Sequence, residues 1–143
     1  MPRDLTLKAM NAVHRAWIAV TGGRSGWDAA RMPVLELTTT GRRSGRPHSV
    51  LLTSPARVGE AFVVVASRGG DDRPPAWLLN LQARPEVQVR LQGGPARAAA
   101  ARVATPAERG ALWPQVTSAY PGYARYQART SREIALVLIE PAS

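Results

Sequence analysis

Three arginines, Arg42, Arg43 and Arg46, lie in one short loop that reads Gly-Arg-Arg-Ser-Gly-Arg, between two strand-like runs at 34–40 and 49–53. Glycine lets the backbone turn its N–H groups toward a ligand, and arginine presents planar, permanently charged donors that match phosphate or carboxylate. The loop is therefore suited to binding an anion. A solvated basic hairpin turn explains the same residues about equally well, because no regular phosphate-loop spacing is present.

A second loop of similar composition follows the strand-like run 61–67. It reads Ser-Arg-Gly-Gly from Ser67 to Gly70 and is followed by Pro-Ala-Trp-Leu-Leu-Asn-Leu over residues 75–81. Two strands that each end in arginine and glycine favour a ligand site over two unrelated solvated turns.

Length and composition exclude several classes of protein. A chain of 143 residues fits one domain with a core of its own. The absence of cysteine excludes disulfides, thiolate metal sites and cysteine nucleophiles. His14 and His48 are the only histidines, and no His/Asp/Glu cluster has metal-ligand spacing, so no metal is expected.

The net charge of +9 indicates a polyanionic partner, either nucleic acid, an acidic membrane surface or a highly charged small molecule. Nucleic acid is the least favoured of the three, because basic and aromatic residues are not interleaved as in single-strand binders. The sequence has neither an apolar run of about 20 residues nor a signal-peptide layout, which predicts a cytoplasmic protein.

The first 26 residues form a separate unit in this prediction. Residues 3–20 have the spacing of an amphipathic helix, and three glycines then link it to a domain that spans 27–143. The helix either packs on its own domain or places Trp17 and its basic residues on anionic lipid, which would make residues 1–20 a peripheral membrane contact.

Short strand-like runs dominate the larger part. They occur at 34–40, 49–54, 61–67, 87–92, 96–104 and 134–140. The run 87–92 alternates between apolar and polar residues and predicts one wet face, whereas 62–66 and 134–139 are apolar throughout and should be covered on both faces. With a tight turn at 92–95, the pattern favours a closed antiparallel barrel.

Two helical insertions are predicted between the strands. The first runs over about 74–83. The second begins after Thr105, which caps it together with Glu108, and Pro114 is expected to kink or end it. Residues 120–122 should break it before a short segment that carries Tyr123 and Tyr126.

Together these motifs resemble the deazaflavin-dependent nitroreductases, which are also described as deazaflavin-dependent quinone reductases. The matching segments occur in order between residues 34 and 141, as LTTTGRRSG (37–45), VASRGG (65–70), PAWLLNL (75–81), LWP (112–114), YPGY (120–123) and YQ (126–127). The resemblance implies a mainly β protein with helical insertions, a split β-barrel of the flavin-reductase type. It also implies reduced coenzyme F420, an anion with a phosphodiester and an oligoglutamate tail.

By this resemblance, the first loop and Arg42 and Arg43 would hold the phosphate and carboxylates, residues 67–70 would close around the tail and ring edge, and Trp77 and Asn80 would border the ring. His48 stands where family members commonly carry arginine, and Arg46 is placed to compensate. The cofactor-binding residues are Gly41, Arg42, Arg43, Ser44, Arg46, His48, Ala66, Ser67, Arg68, Gly69, Gly70, Trp77 and Asn80.

The resemblance further implies hydride transfer from F420 to a quinone, nitroaromatic or enone. Tyr120, Tyr123 and Tyr126 would hold this flat acceptor and supply a proton, although tyrosines at this spacing also simply pack. The sequence leaves two other functions open, a flavin mononucleotide reductase or oxidase on the same barrel and a barrel that binds a small molecule without turnover. Proteins of this type often form homodimers, and the sequence leaves the oligomeric state open.

Overall fold

The computed structural model describes residues 32–142. The predicted N-terminal helix, its glycine-rich link and the first five residues of the predicted 27–143 domain lie outside the described residues.

Seven antiparallel strands form the body of the protein. They are β1 (Val34–Thr40), β2 (Pro47–Thr53), β3 (Ala56–Val58), β4 (Ala61–Val65), β5 (Glu86–Leu91), β6 (Arg97–Val103) and β7 (Leu136–Pro141). Their order in the sheet is β2-β1-β5-β6-β7-β4-β3. Strand β3 was not predicted, because Pro55 and Gly59 enclose only three residues and leave no periodic pattern to detect.

The two edge strands, β2 and β3, are consecutive in the chain, so the segment between them joins the ends of the curled sheet. Ser54 lies in this segment and is buried. Its hydroxyl oxygen lies 3.0 Å from the carbonyl oxygen of Ala56 and 2.9 Å from that of Val63, and its N–H donates to the Pro33 carbonyl at 2.8 Å. The predicted split β-barrel is therefore confirmed.

The strand register divides the core into two clusters. Leu35 lies opposite Leu91 and Leu37 opposite Val89, and these residues point into the barrel with Phe62, Val64, Val137 and Ile139. The intervening residues of β4 and β7, which include Val63, Leu136 and Leu138, point outward into a second cluster. The prediction that these two strands are covered on both faces is confirmed.

Three α-helices complete the fold of residues 32–142. Helix α1 (Ala76–Ala83) places Leu78 and Leu81 against the barrel interior, and α2 (Pro106–Ala119) and α3 (Gly122–Ala128) cover the outer face of β4 and β7. Helix α2 has the predicted capping box, in which the Glu108 N–H donates to Thr105 Oγ1 at 3.2 Å and the Thr105 N–H donates to Glu108 Oε1 at 2.8 Å.

Helix α2 does not end at Pro114, which was one of the two outcomes expected there. It continues to Ala119. Proline lacks the N–H that would bond to the carbonyl of Gly110, four residues earlier, and its ring crowds that carbonyl. Gly110 is exposed, so its carbonyl can be solvated by water, which reduces the cost of continuing the helix.

Candidate functional site

The arginine loop, residues 41–46, closes the hairpin between β1 and β2. The Gly41 N–H donates to the Arg46 carbonyl at 2.8 Å, and the Gly45 N–H donates back to the Gly41 carbonyl at 2.9 Å. Gly45 has a φ of 71°, a left-handed conformation that suits glycine. The loop is thus tightly folded, and the side chains of Arg42, Arg43 and Arg46 are exposed.

Asn80 fixes this loop to helix α1. Its side-chain oxygen accepts from the Arg42 N–H at 3.2 Å and from Arg42 Nη1 at 2.9 Å, and its Nδ2 donates to Thr39 Oγ1 at 3.2 Å. Asn80 and Thr39 are both buried. Residues from two different predicted motifs therefore meet, and Asn80 sets the position of Arg42.

The side chains of two further predicted residues, Ser44 and His48, contact the loop and stabilise it. The Ser44 hydroxyl accepts from the Arg46 N–H at 3.1 Å and lies 3.4 Å from Nε2 of His48 on β2. A Cβ at Gly41 would lie only 2.5 Å from Ser44 Oγ and 2.8 Å from His48 Nε2, so any larger residue there would displace these side chains. His48 thus packs directly against the loop.

The second loop follows β4 and forms a turn from Ser67 to Asp71, which we call the Ser67 turn. Arg68, Gly69 and Gly70 have φ values of 47°, 65° and 83°, and only the first is unusual, since it is not glycine. Arg68 Nη1 forms an ion pair with Asp71 Oδ2 at 3.1 Å, and the two side chains are 7% and 5% exposed. Arg68 is therefore buried and paired with a carboxylate, unlike the arginines of the first loop.

The three tyrosines form one cluster. The ring centroids of Tyr120 and Tyr123 lie 5.0 Å apart, and Tyr126 lies 6.3 Å from the first and 6.1 Å from the second. The hydroxyl oxygens of Tyr120 and Tyr126 are 3.5 Å apart, and the Tyr123 hydroxyl lies 2.8 Å from Thr53 Oγ1 at the end of β2. Tyr120 and Tyr126 keep partly exposed rings, whereas Tyr123 is buried.

Two of the three tyrosines, Tyr123 and Tyr126, have a raised pKa. Burial raises the pKa of Tyr123 above its ordinary value, and the hydrogen bond with Thr53 opposes part of that rise. The hydrogen bond with the Tyr120 hydroxyl, followed by burial, raises the pKa of Tyr126. Both groups therefore remain proton donors at neutral pH.

The Ser67 turn packs against α3, the helix that carries Tyr123 and Tyr126. A Cβ at Gly70 would lie 2.7 Å from the Tyr126 carbonyl oxygen, and Arg129 Nη1 donates to the Gly69 carbonyl at 3.3 Å. The backbone of the turn and that of α3 are therefore in direct contact. Sequence reasoning missed Thr53, Arg129 and Arg132 here, because their contacts join segments that are far apart in the chain.

The arginine loop and the tyrosine cluster lie at opposite ends of strand β2. Pro47 follows the loop, and Thr53, which contacts Tyr123, is the last residue of the strand. Six residue steps at roughly 3.3 Å each separate the two ends by about 20 Å. Helix α1 lies beside the arginine loop, because its Asn80 accepts from Arg42 Nη1. The half-buried Trp77 lies on this helix.

The structure is thus a split barrel with exposed guanidinium groups at one end of β2 and a cluster of tyrosines at the other. Its donor set suits coenzyme F420, because exposed guanidinium groups match phosphate and carboxylates, and an aromatic wall matches a flat ring.

Comparison with known proteins agrees with this class. A family model for F420H(2)-dependent quinone reductase matches residues 11–141. An F420H(2)-dependent quinone reductase of Mycobacterium tuberculosis is 37% identical over an alignment of 138 residues, and the alignment covers 93% of this chain and 88% of the relative.

Solved structures are similar over most of the described fold. An F420-H2 dependent reductase has a TM-score of 0.66 and 37% identity and covers 76% of this chain and 94% of its own. A structure described as a domain-swapped dimer has a TM-score of 0.68 and 31% identity and covers 98% of this chain and 100% of its own. A protein related to the pyridoxinephosphate oxidase family from Clostridium acetobutylicum is 11% identical, with a TM-score of 0.53, and shares the fold alone.

The chain belongs to the F420H(2)-dependent quinone reductase family. It is therefore an oxidoreductase whose cofactor is coenzyme F420. The family and the enzyme class predicted from the sequence motifs are confirmed.

The raised tyrosine pKa values predict a specific loss of stability in alkali. A phenol whose folded pKa lies above its ordinary value of 10.0 stabilises the fold fully below pH 10, and this contribution is lost as the pH rises through the folded pKa. We expect the free energy of unfolding to fall above pH 10 and to fall less steeply in Tyr123→Phe. Urea titrations of both proteins between pH 8 and pH 11 would measure this, and parallel pH profiles would contradict it.

Proposed function

We propose that this chain binds coenzyme F420 along β2 and α1, with its charged tail at the arginine loop and its ring at the tyrosine cluster, and reduces a flat acceptor held by the tyrosines. The observation that carries the proposal is the position of these two groups at opposite ends of one strand. A molecule with an anionic tail and a planar ring has a complementary polarity over a comparable length.

At the cationic end, Arg43 and Arg46 are the main proposed ligands of the phosphodiester and glutamates. Their side chains are exposed, so they can meet an anion without breaking the loop's internal hydrogen bonds. Arg42 already donates to Asn80 and keeps further guanidinium donors for the same anion. Gly41, Ser44 and His48 hold the loop in shape, and His48 adds a charge only when it is protonated.

At the aromatic end, residues 66–70 and Trp77 are the proposed surroundings of the ring. Arg68 has its guanidinium paired with Asp71, so we assign its contribution to the backbone of the Ser67 turn. Asn80 was predicted beside the ring. Its contacts with Arg42 and Thr39 support a role in placing the arginine loop.

When bound, F420H2 supplies a hydride. The protein then has to orient the acceptor, exclude water and provide the proton that completes reduction of a quinone oxygen. The partly exposed rings of Tyr120 and Tyr126 can stack on a flat quinone, nitroaromatic or enone, and their hydroxyl groups lie close enough to share a proton. The hydroxyl nearer the acceptor oxygen donates that proton and recovers one from its neighbour or from water.

The arginine loop is tested by Arg43→Ala. We expect the dissociation constant for F420 to rise roughly tenfold, because one exposed charge-assisted contact is lost, while turnover at saturating cofactor stays the same. Titration of the purified protein, followed by the fluorescence of F420, measures the affinity.

Arg125→Ala is the matched control, since it removes an equally exposed charge from α3. Flavin mononucleotide is titrated in parallel. Equal affinity in the two variants, or tighter binding of the flavin than of F420, would contradict this assignment of the loop.

The tyrosine cluster is tested by Tyr120→Phe. We expect kcat for quinone reduction to fall about tenfold or more, while the affinity for F420 changes less, because the variant removes a proton donor and retains the ring. Steady-state kinetics with a soluble naphthoquinone measure kcat in Tyr120→Phe and, for comparison, in Tyr126→Phe. The fluorescence titration with F420 measures the affinity of the same variants. Unchanged kcat in Tyr120→Phe would leave Tyr120 as a packing residue.

Association with membranes and with a second copy completes the proposal. No helix among residues 32–142 is long and apolar enough to cross a membrane. We propose a cytoplasmic location with peripheral contact through residues 1–20, supported by Trp17 and the basic residues there, and a homodimer, supported by the related structure described as a dimer. The molecular mass from light scattering tests the homodimer, and sedimentation with anionic vesicles tests the membrane contact. A monomeric mass, or vesicle binding that is unchanged on removing residues 1–25, would contradict the respective idea.

A further inference from the structure

We propose that Arg132 is a positioning residue of the cofactor site, which holds the Ser67 turn in its binding conformation without touching the cofactor. This inference rests on the proposed function, in which that turn lines the ring end of the site. Arg132 was not among the residues predicted from the sequence.

The guanidinium of Arg132 bridges both ends of the turn. Its Nη1 donates to the Ala66 carbonyl at 3.2 Å, its Nη2 to the Ser67 carbonyl at 3.0 Å, and its Nε to the Asp71 carbonyl at 2.9 Å. Three donors of one planar group therefore bind three carbonyls on either side of Arg68. A lysine ammonium in the same place has a single nitrogen and cannot reproduce this planar arrangement.

These contacts also orient the peptide groups of the turn. In a trans peptide the C=O and the following N–H point in opposite directions. Because Arg132 attracts the carbonyls of Ala66 and Ser67, the N–H groups of Ser67 and Arg68 are directed away from it. Arg132 therefore fixes the orientation of the two peptide groups that join residues 66 to 68.

The turn needs such a restraint. Arg68 has a φ of 47°, which a residue other than glycine adopts only when its surroundings enforce it. Within the turn itself, the Gly70 N–H donates to the Ser67 carbonyl at 2.9 Å and the Asp71 N–H to the Arg68 carbonyl at 3.2 Å. The Arg132 contacts connect this local structure to the segment between α3 and β7.

Gln127 holds the backbone of Arg132 in place. Its Nε2 donates to the Arg132 carbonyl at 2.7 Å, while its Oε1 accepts from the Ile134 N–H at 2.9 Å and from Arg109 Nη2 at 3.0 Å. The segment that carries Arg132 is therefore tied to α2, to α3 and to Ile134, two residues before β7. The position of the Ser67 turn thus follows that of the helices that carry the tyrosines.

The test compares Arg132→Lys with the wild type and with Arg125→Lys, an exposed position on α3. Three quantities are measured: hydrogen exchange of the amides in residues 66–72 without cofactor, the dissociation constant for oxidised F420, and steady-state kinetics with a soluble naphthoquinone. In Arg132→Lys we expect faster exchange in the turn and a dissociation constant for F420 about tenfold higher, similar to the loss when an outer-shell partner of a metal ligand is replaced. We expect kcat at saturating F420H2 and the KM for the quinone to stay within about twofold, and Arg125→Lys to match the wild type.

A second variant covers the case in which Arg132→Lys does not fold. Gln127→Glu keeps the acceptor oxygen but loses the donor to the Arg132 carbonyl, and we expect the same pattern with smaller changes. Wild-type affinity for F420 in a folded Arg132→Lys, or a fall in kcat as large as the rise in dissociation constant, would overturn the positioning role alone. Failure of the wild type to bind F420 would overturn the proposed function, and the positioning role with it.

Discussion

Strands β4 and β7 are apolar on both faces. The rest of the fold follows from the need to bury the inner and the outer face of each strand. Their inward residues close the barrel around the first core, and their outward residues require a second cover, which α2 and α3 provide. Burial of apolar area is the dominant favourable term in folding, so this double burial fixes the helices on that side of the barrel. The tyrosines lie at the end of α2 and on α3, so these helices place them next to the Ser67 turn, which follows β4. The aromatic half of the site is thus a consequence of how the core is covered.

The arginines have three different roles, although they look alike in the sequence. Arg43 is exposed in its loop, Arg68 is buried against Asp71, and Arg132 donates to backbone carbonyls. Arg102 binds both oxygens of Glu108 and one of Glu140, and its hydrogen bonds lower the pKa of Glu108 to about 2. The net charge therefore overstates the number of cations that can meet a ligand. At the arginine loop, Arg42, Arg43 and Arg46 are exposed together within five residues, which is the arrangement that an anionic tail needs.

Much of the fold was predictable because its signals are local. The run 34–40 has the bounds of β1, the capping box of α2 formed as predicted, and the turn at 92–95 appears with Gly93 at a φ of 72°. Periodicity and capping depend on residues within a few positions of one another.

The contacts that assemble the site are not local. Tyr123 meets Thr53 across 70 positions, and Arg132 reaches Ser67 across 65. No periodic or capping pattern encodes such pairs, so the candidate ligands could be named from motifs, whereas the residues that position them required the structure.

The place of β7 in the sheet also governs when the protein can fold. This strand is the last of the seven along the chain, yet it lies between β6 and β4 in the interior of the sheet. Strands β4 and β6 have no partner on that side until it arrives. On a ribosome, the barrel therefore stays open until residues 136–141 have emerged, and both apolar faces of β4 are exposed in the meantime. The pairing of β4 with β7 is thus a contact between strands about 70 residues apart, of the kind that slows folding.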